Sequence, residues 1–192
     1  MDEQPVVAIL AGGAATRMGR DKARVVLGDK ALIDHVRDAA TAAGLPVLVV
    51  GPDGIPDLRP PHSGPLAGIE AALIQTGGPV VAVAVDQPWV LPQTIGGLAS
   101  MQGDAAVPRD GRLQVTCALY RPACLTTIKH VLDEGPASVT RALDEMGVVE
   151  VEPTSWQAWG EDGRSWFSVD APQDLTVGTE RFGLPGTGTM KP

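Results

Sequence analysis

The first half of the chain alternates short apolar runs with longer stretches in which apolar residues recur at helical spacing. Three runs, residues 5–10, 46–50 and 80–85, are rich in valine and contain no polar side chain. Such runs are typical of strands that are buried on both faces of a sheet. The stretches between them predict helices over residues 32–43 and 65–76, each followed by a glycine that ends it.

The second half of the chain continues this alternation less regularly. The pattern predicts helices over residues 92–101, 122–132 and 138–146, a last short helix that opens at Pro172, and strands over residues 105–107, 113–120, 148–151 and 166–169. Asp110-Gly111, between two of these strands, is the strongest signal for a hairpin turn in the chain.

This order of elements predicts an α/β protein. Strands that alternate with helices of about ten to fifteen residues form βαβ units. Such units give a three-layer αβα fold, with a Rossmann-like, mostly parallel sheet covered by helices on both faces. We expect residues 1–178 to form one domain and residues 179–192, which have little to bury, to form a mobile tail. Because ligands of such folds bind outside the carboxyl ends of the strands, we look for function beyond Leu10 and Val85.

Composition narrows the classes of function. The 192 residues include 15 Lys and Arg against 23 Asp and Glu, a net charge of −8. This disfavours a general nucleic-acid binder, because affinity for phosphate backbones needs a basic surface. The acidic N-terminus lacks the cationic stretch of a secretory signal, and no apolar run approaches the ~18 residues of a membrane span. We therefore expect a cytoplasmic protein without membrane association. Cys117 and Cys124 lack the spacing of zinc ligands and are expected to be reduced, buried thiols.

The loop after the first predicted strand combines glycine with concentrated positive charge. Gly12 and Gly13 allow backbone N–H groups to approach an anion closely. Four of the basic residues follow within a short stretch, namely Arg17, Arg20, Lys22 and Arg24. Because the protein is otherwise acidic, this concentration favours a polyanionic ligand that carries phosphate. The alternative is a solvated loop whose charges pair with Asp21 and Asp29.

Four segments of the chain match a known set of motifs in order. The loop contains Leu10-Ala11-Gly12-Gly13, Arg17-Met18-Gly19 and Asp21-Lys22, which fit the pattern L-A-G-G-x-x-x-R-M-G-x-D-K. The three later segments are Gly64-Pro65-Leu66-Ala67-Gly68, Asp86-Gln87-Pro88 and Ser168-Val169-Asp170-Ala171-Pro172-Gln173-Asp174-Leu175. Together they resemble the opening, GPLAG, Asp-x-Pro and closing N-x-[ND]-[TS]-P-x-[DE]-L motifs of the MobA-like nucleotidyltransferases. The resemblance covers residues 10–175 and implies the nucleotide-diphospho-sugar transferase-like form of the fold.

This resemblance implies a reaction, in which GMP is transferred from GTP to molybdopterin and pyrophosphate is released with the help of Mg2+. Carried onto this chain, the nucleotide-binding residues are Leu10, Ala11, Gly12, Gly13, Lys22, Asp57 and Asp86. The implied catalytic residues are Arg17 and Lys22, which neutralise the triphosphate, and Asp86, which also holds the metal. Asp170 is a candidate second metal ligand. Other proteins of molybdenum cofactor biosynthesis, or apo-molybdoenzymes, are the implied protein partners.

Some positions depart from the family pattern or fit two interpretations. Relatives have an asparagine that contacts the nucleotide after the second strand, where this chain has Gly51, which offers backbone alone. The late tryptophans, Trp156, Trp159 and Trp166, fit packing of the core better than stacking on a base or pterin. The arginines that flank the hairpin turn, Arg109 and Arg112, fit either a phosphate of the second substrate or a solvated hairpin tip.

Other functions remain open at this point. A cytidylyltransferase for the same pterin opens with Leu-Ala-Ala-Gly, so Gly12 favours GTP. A nucleotidyltransferase for another small phosphorylated acceptor, such as phospholactate or a sugar phosphate, has the same fold. A catalytically silent nucleotide-binding module is disfavoured, because folding alone does not need Arg17, Lys22 and Asp86 together. Asp86 taken by itself also fits an N-cap of the helix that follows.

Overall fold

The computed structural model describes residues 3–12, 22–60, 63–135 and 139–186. Its strands are β1 (Val6–Leu10), β2 (Val26–Leu27), β3 (Lys30–Ala31), β4 (Val47–Val50), β5 (Val80–Ala84), β6 (Ala105–Asp110), β7 (Arg112–Leu113), β8 (Cys117–Tyr120) and β9 (Val148–Val151). Its α-helices are α1 (Leu32–Ala42), α2 (Pro65–Thr76), α3 (Pro92–Ala99), α4 (Leu125–Asp133), α5 (Val139–Asp144), α6 (Pro153–Gln157) and α7 (Pro172–Phe182). Short 3-10 helices cover Lys22–Arg24, Pro122–Cys124 and Arg164–Trp166.

Within the described ranges, seven strands form one sheet in the order β4-β1-β5-β8-β6-β7, with β9 paired to β6. Strand β1 runs parallel to β4 and β5, and β9 runs parallel to β6. Strand β8 runs antiparallel to both of its neighbours, β5 and β6. The mostly parallel sheet predicted from the sequence is confirmed, with β8 antiparallel inside it and the two-residue β7 antiparallel to β6 at its edge.

Apolar side chains alternate between the two faces of the sheet, as the strand period of two requires. On one face, Val7 and Ile9 pack with buried residues of α1 and α3. On the other face, Ala8 packs with buried residues of α2 and α4. This arrangement confirms the three-layer αβα fold. None of the helices in the described part of the chain is long and apolar enough to span a membrane.

Two predicted strands are wrong in the second half of the chain. Residues 166–169 do not form a strand. The 3-10 helix Arg164–Trp166 leads instead into an extended segment. The Val169 N–H of this segment donates to the Asp86 carbonyl at 2.8 Å. The strand predicted over residues 113–120 is broken into β7 and β8. The break lies at residues 114–116, where the Gln114 N–H returns to the Pro108 carbonyl at 2.8 Å.

The end of the domain lies later than the sequence predicts. Helix α7 continues to Phe182, whose ring is 7% exposed and packs with Trp89 and Leu27. Residues 179–182 therefore belong to the folded part of the chain rather than to the expected tail. Residues 187–192 of that tail lie outside the described residues.

Candidate active site

A cavity of about 460 Å³ opens at the carboxyl ends of β1 and β5. It is lined by residues 10–12 after β1, Lys22, Gly64 and Pro65 at the start of α2, residues 84–87 after β5, residues 112–116 between β7 and β8, and Trp166, Ser168 and Asp170. This is the edge of the sheet at which α/β folds bind their ligands. The cavity thus brings together all four motif segments of the sequence.

Lys22 joins two carboxylates in this cavity. Its Nζ donates to Asp86 Oδ2 and to Asp170 Oδ1, both at 2.8 Å. The side chains of Lys22 and Asp86 are about one-fifth exposed, whereas that of Asp170 is 64% exposed. Partial burial by itself lowers the pKa of Lys22, but hydrogen bonds and charge from the two carboxylates outweigh it and raise this pKa above its ordinary value. Lys22 is therefore a fixed cation between two acids that come from distant parts of the chain.

The simpler interpretation of Asp86, as an N-cap, is wrong. Helix α3 begins at Pro92, and the residue at its N-cap position is Leu91. Asp86 instead lies in the turn directly after β5, and its carbonyl accepts the bond from Val169 N–H that anchors the segment carrying Asp170. The solvated-loop interpretation is likewise contradicted for Lys22, whose side chain is mostly buried against Asp86 and Asp170.

Gly51 packs directly on the backbone of the first motif. A Cβ atom on Gly51 would lie 2.9 Å from the carbonyl carbon of Ala11 and from the nitrogen of Gly12, and its φ is +141°. Both facts exclude a larger residue without movement of Ala11 and Gly12. Gly51 therefore allows the loop after β4 to contact the cavity wall at a position where a side chain would not fit.

Asp57 lies against Gly12 of the same wall. Its Oδ2 would be 3.5 Å from a Cβ placed on Gly12, and its Oδ1 is buried without a hydrogen-bond partner among the described residues. Burial raises the pKa of Asp57, and the nearby charge of Glu70 raises it further. A buried carboxylate oxygen that lacks a donor is costly, and such groups mark places where a ligand supplies the missing donor.

The start of α2 forms another part of the wall. Gly64 precedes the helix with a φ of +80°, and Pro65 occupies its first turn. The first N–H groups of a helix have no partner within it, and together with the helix dipole they favour a bound anion. Gly68 lets this helix approach β1, since a Cβ there would lie 3.1 Å from Leu10 Cδ2.

The opposite wall is the broken hairpin between β7 and β8. Gln114 is 7% exposed, and its Nε2 donates to the carbonyls of Asp110 and Arg112. Gln87 is 3% exposed; its Oε1 accepts from Ala84 N–H, and its Nε2 donates to Thr116 Oγ1. The two buried amides therefore hold residues 112–116 against the end of β5. Arg112 lines the cavity as a result, whereas Arg109 is paired with Glu150 at the protein surface.

The tryptophans pack as the sequence predicts. The rings of Trp156 and Trp166 meet edge to face with centroids 5.2 Å apart, and both are nearly buried. Trp166 Nε1 donates to Asp110 Oδ2 at 2.8 Å, so this ring ties the hairpin to the segment that leads to Asp170. Trp166 also lines the cavity. Trp159 lies instead against Gly97 of α3.

Comparisons with known proteins show which family the chain resembles. The profile of the MobA-like NTP transferase domain matches residues 7–146. The chain belongs to this family. A probable molybdenum cofactor guanylyltransferase from Chloroflexus aggregans is 31% identical over 88% of this chain and 90% of its own length. A probable enzyme of the same name from Pelotomaculum thermopropionicum is 30% identical over 87% of this chain and 88% of its own length.

Solved structures show the same fold. The molybdopterin-guanine dinucleotide biosynthesis protein A from Archaeoglobus fulgidus has a TM-score of 0.80 and 25% identity, and the match covers 91% of this chain and 97% of that one. A nucleotidyl transferase from Methanothermobacter has a TM-score of 0.69 at 15% identity, covering 94% and 98% of the two chains. The protein is therefore a nucleotidyltransferase with a MobA-like αβα domain.

Most of the site residues expected from the MobA-like resemblance lie at one place. The cavity wall contains Leu10, Ala11, Gly12, Lys22, Asp86 and Asp170. Asp57 lies next to Gly12 of this wall. Gly13 and Arg17 lie outside the described residues, as do Arg20 and Asp21.

Gln87, Gln114, Thr116 and Ser168 also line the cavity, although the sequence assigned no role to them. The sequence can indicate Gln87 and Ser168 as site residues, because each lies within one of the four motif segments. No such signal marked Gln114 and Thr116, since their position depends on the break between β7 and β8.

The cysteines are buried and free, as expected. Burial raises the pKa of the Cys124 thiol to about 11 and also raises that of Cys117. Such thiols are poor nucleophiles and poor metal ligands at neutral pH. No cluster of three or more residues with metal-ligating side chains occurs among the residues that the structure describes.

Proposed function

We propose that this protein transfers GMP from GTP to molybdopterin, forming the guanine dinucleotide form of the cofactor and pyrophosphate. The observation that carries the proposal is the cavity in which Lys22 bridges Asp86 and Asp170 beside the glycine backbone after β1. The names of the relatives that match almost nine-tenths of the chain support this choice of substrates.

In this proposal the phosphates of GTP bind between the loop after β1 and the start of α2. The backbone at Gly12 allows close approach, and the start of α2 offers the positive end of the helix dipole. Pro65 carries no N–H, and the Ala67 N–H bonds to the Gly64 carbonyl at 3.3 Å. Lys22 lies within the same cavity and supplies a positive charge on a flexible stem. Arg17 is proposed as a second cation for the triphosphate, on the strength of its place in the first motif.

The carboxylate oxygens that contact Lys22 are suitable ligands for Mg2+. Asp86 Oδ2 and Asp170 Oδ1 both lie 2.8 Å from one ammonium group, so their oxygens already converge on a single position for a cation. Mg2+ prefers oxygen and is usually held by one or two carboxylates together with substrate phosphates. We propose Asp86 as its ligand and Asp170 as a second one. Bound there, Mg2+ would supply charge neutralisation for the phosphates during the transfer.

The transfer itself is a displacement at the α-phosphorus of GTP. An oxygen of the terminal phosphate of molybdopterin forms a bond to this phosphorus, while the bond from the α-phosphorus to the bridging oxygen of the β-phosphate breaks. The bridging oxygen leaves with pyrophosphate and carries the electron pair of the broken bond. Such reactions need positioning and charge stabilisation more than a chemical group from the protein. Lys22 and the start of α2 hold the phosphates in line in this proposal.

Asp57 supports guanine as the base. Guanine presents two neighbouring donors, N1–H and the N2 amino group, which one ionised carboxylate can accept together. The edge of cytosine combines one amino donor with acceptors, so a carboxylate there opposes it. The unpartnered Oδ1 of Asp57 fits the first edge and not the second.

Release of pyrophosphate from GTP, CTP and ATP in parallel, with Mg2+ and with molybdopterin present or omitted, tests this function. Release that requires both GTP and molybdopterin is the expected result. Selectivity for CTP would retain the mechanism and contradict the base. Binding of Mg-GTP without release in the presence of molybdopterin would contradict the acceptor and favour either another phosphorylated acceptor or a silent module.

A further inference from the structure

We infer that Arg59 is a positioning residue for recognition of the base: by pairing with the buried carboxylate of Glu70, it fixes the segment that carries Asp57 and neutralises the negative charge beside it. This inference rests on the proposed function, in which Asp57 contacts the guanine edge. Neither Arg59 nor Glu70 belongs to a motif of the family. Arg59 lies two residues after Asp57, and Glu70 lies two residues after the end of the Gly64–Gly68 motif.

The geometry of this pair is that of a rigid clamp. Arg59 Nε donates to Glu70 Oε2 and Arg59 Nη2 donates to Glu70 Oε1, both at 2.7 Å. Arg59 Nη1 also pairs with Asp133 of α4. A two-pronged contact of this kind fixes the guanidinium in both position and orientation. The clamp therefore attaches the segment after β4 to α2 and α4, two residues beyond Asp57.

Glu70 is an unusual residue for its place in the helix. It lies in the second turn of α2, is 2% exposed and is surrounded by residues of the apolar core on that face. A buried carboxylate is stable only when it is paired and hydrogen-bonded. Removal of Arg59 would leave this charge unpaired and would destabilise the protein by more than the loss of packing alone.

The same charge acts on Asp57. Burial raises the pKa of Asp57 first, and the negative charge of Glu70 raises it further. The charge that acts on Asp57 is that of Glu70 on α2. Glu70 is paired with Arg59, which also pairs with Asp133 of α4. Without Arg59, the charge of Glu70 is not compensated, so the pKa of Asp57 rises further and Asp57 takes up a proton at higher pH than in the wild type. That proton competes with the guanine donors, because a protonated carboxyl cannot accept from both of them.

The inference predicts a specific defect in base recognition. In Arg59→Met, the preference for GTP over ITP, which lacks the N2 amino group, is expected to fall at pH 6 and to recover as the pH is raised to 8.5, because the pKa of Asp57 lies further above its ordinary value in the variant. The double variant Arg59→Met/Glu70→Gln removes the unpaired charge and restores the wild-type pH profile. Arg59→Lys keeps the charge, so its pH profile stays near that of the wild type.

The experiment measures the affinity of the full chain for Mg-GTP, Mg-ITP and Mg-CTP by titration calorimetry from pH 6 to 8.5. Arg37→Met is the matched control, because Arg37 forms an exposed pair with Asp34 on α1, away from the cavity. Arg37→Met is expected to keep both affinity and preference. Arg59→Lys and the double variant keep the test decisive if Arg59→Met does not fold.

Two results would overturn the inference. An equal loss of affinity for all three nucleotides, without pH dependence and without recovery in the double variant, would mean that Arg59 only stabilises the fold. An unchanged preference and pH profile in Arg59→Met would mean that Arg59 has no part in recognition. In both cases the wild type still selects GTP, whereas failure of the wild type to select GTP would contradict the proposed function itself.

Discussion

Lys22, Asp86 and Asp170 form one charged unit, although 148 positions separate the first from the last. A single ammonium group lies 2.8 Å from an oxygen of each acid. Each of these residues could be predicted from the sequence, because each is a charged residue within a recognised motif. That Lys22 joins the two carboxylates could not be predicted, since it depends on how residues 167–170 cross the end of the sheet.

Lys22→Ala and Asp86→Ala are expected to lower the rate of pyrophosphate release by about 10²–10³-fold, as loss of a group that stabilises transition-state charge does. The measurement is the steady-state rate with GTP, Mg2+ and molybdopterin, with circular dichroism as a check on folding. Lys30→Ala is the control, because Lys30 forms an exposed pair with Asp38. Near wild-type turnover in either site variant would show that its assigned role is wrong.

Asp57, which the proposed function assigns to GTP binding, lowers the stability of the folded protein when it is ionised. Its pKa is raised above 3.8 in the folded protein, so the folded state binds the proton more tightly than the unfolded state. The stability from this group is fully present below the unfolded pKa and is lost as the pH rises through the folded pKa. The ionised form of Asp57 is therefore destabilising at neutral pH.

Asp57→Asn is accordingly expected to raise Tm at pH 7 while it weakens the binding of GTP. The rise is at most about 3 °C, since the side chain is partly solvated, and it shrinks as the pH falls towards 4. Thermal denaturation at both pH values and titration with GTP provide the measurement. A variant with lower Tm at pH 7 and unchanged affinity for GTP would contradict both the electrostatic and the binding argument.

At the scale of elements, the first half of the chain followed its pattern closely. Helix α2 has the predicted bounds, and β1, β4 and β5 each lie within a predicted run. These elements are buried on both faces or bounded by glycine and proline, so local signals were sufficient. The second half was less predictable. Strands β7 and β8 are separated where Gln114 bonds to the carbonyls of Pro108, Asp110 and Arg112 within the hairpin. Residues 167–170 form no strand and are bonded to the turn after β5 through Val169.

The loop after β4 is expected to be sensitive to any side chain at Gly51. Gly51→Ala places a Cβ 2.9 Å from the backbone of Ala11 and Gly12 and forces a strained φ. We expect a loss of about 1–3 kcal/mol in stability and a higher KM for GTP, because the cavity wall must move. Gly44→Ala is the matched control, since its φ of +74° is also positive but no atom lies within 4 Å of its Cβ. It should lose stability alone, and an unchanged KM in Gly51→Ala would contradict the close contact.

Glu161 organises the segment that leads to Asp170. Its buried carboxylate accepts from Thr94 Oγ1 at 2.5 Å, from Ser165 Oγ and from the N–H groups of residues 162, 163 and 165. This joins α3 to the 3-10 helix that carries Trp166 into the cavity.

Glu161→Gln replaces an acceptor by a donor in this network and is expected to cost about 1–3 kcal/mol in the free energy of unfolding. Urea denaturation measures this cost. Glu180→Gln on the exposed face of α7 serves as the control and should leave stability within ~0.5 kcal/mol. Equal stability of the two variants would show that the network at Glu161 contributes nothing to the fold.

At the scale of the whole molecule, the αβα fold places every recognised motif at one edge of the sheet. The fold class could be predicted because burial on both faces leaves a strong pattern in the strands. The antiparallel strand β8 could not be predicted in the same way, since an apolar run does not record the direction of its neighbours. The broken hairpin beside β8 supplies residues 112–116 to the cavity, which gives it a wall that the motifs do not encode.

The fates of the two ends of GTP distinguish GMP transfer from simple hydrolysis. The protein is incubated with Mg2+, molybdopterin and GTP that is radiolabelled either at the α-phosphorus or at the γ-phosphorus, and the products are separated by chromatography. The account predicts that the α label appears in a pterin dinucleotide and the γ label in pyrophosphate, in equal amounts. Release of the γ label as inorganic phosphate, or an α label that stays in free nucleotide, would contradict it.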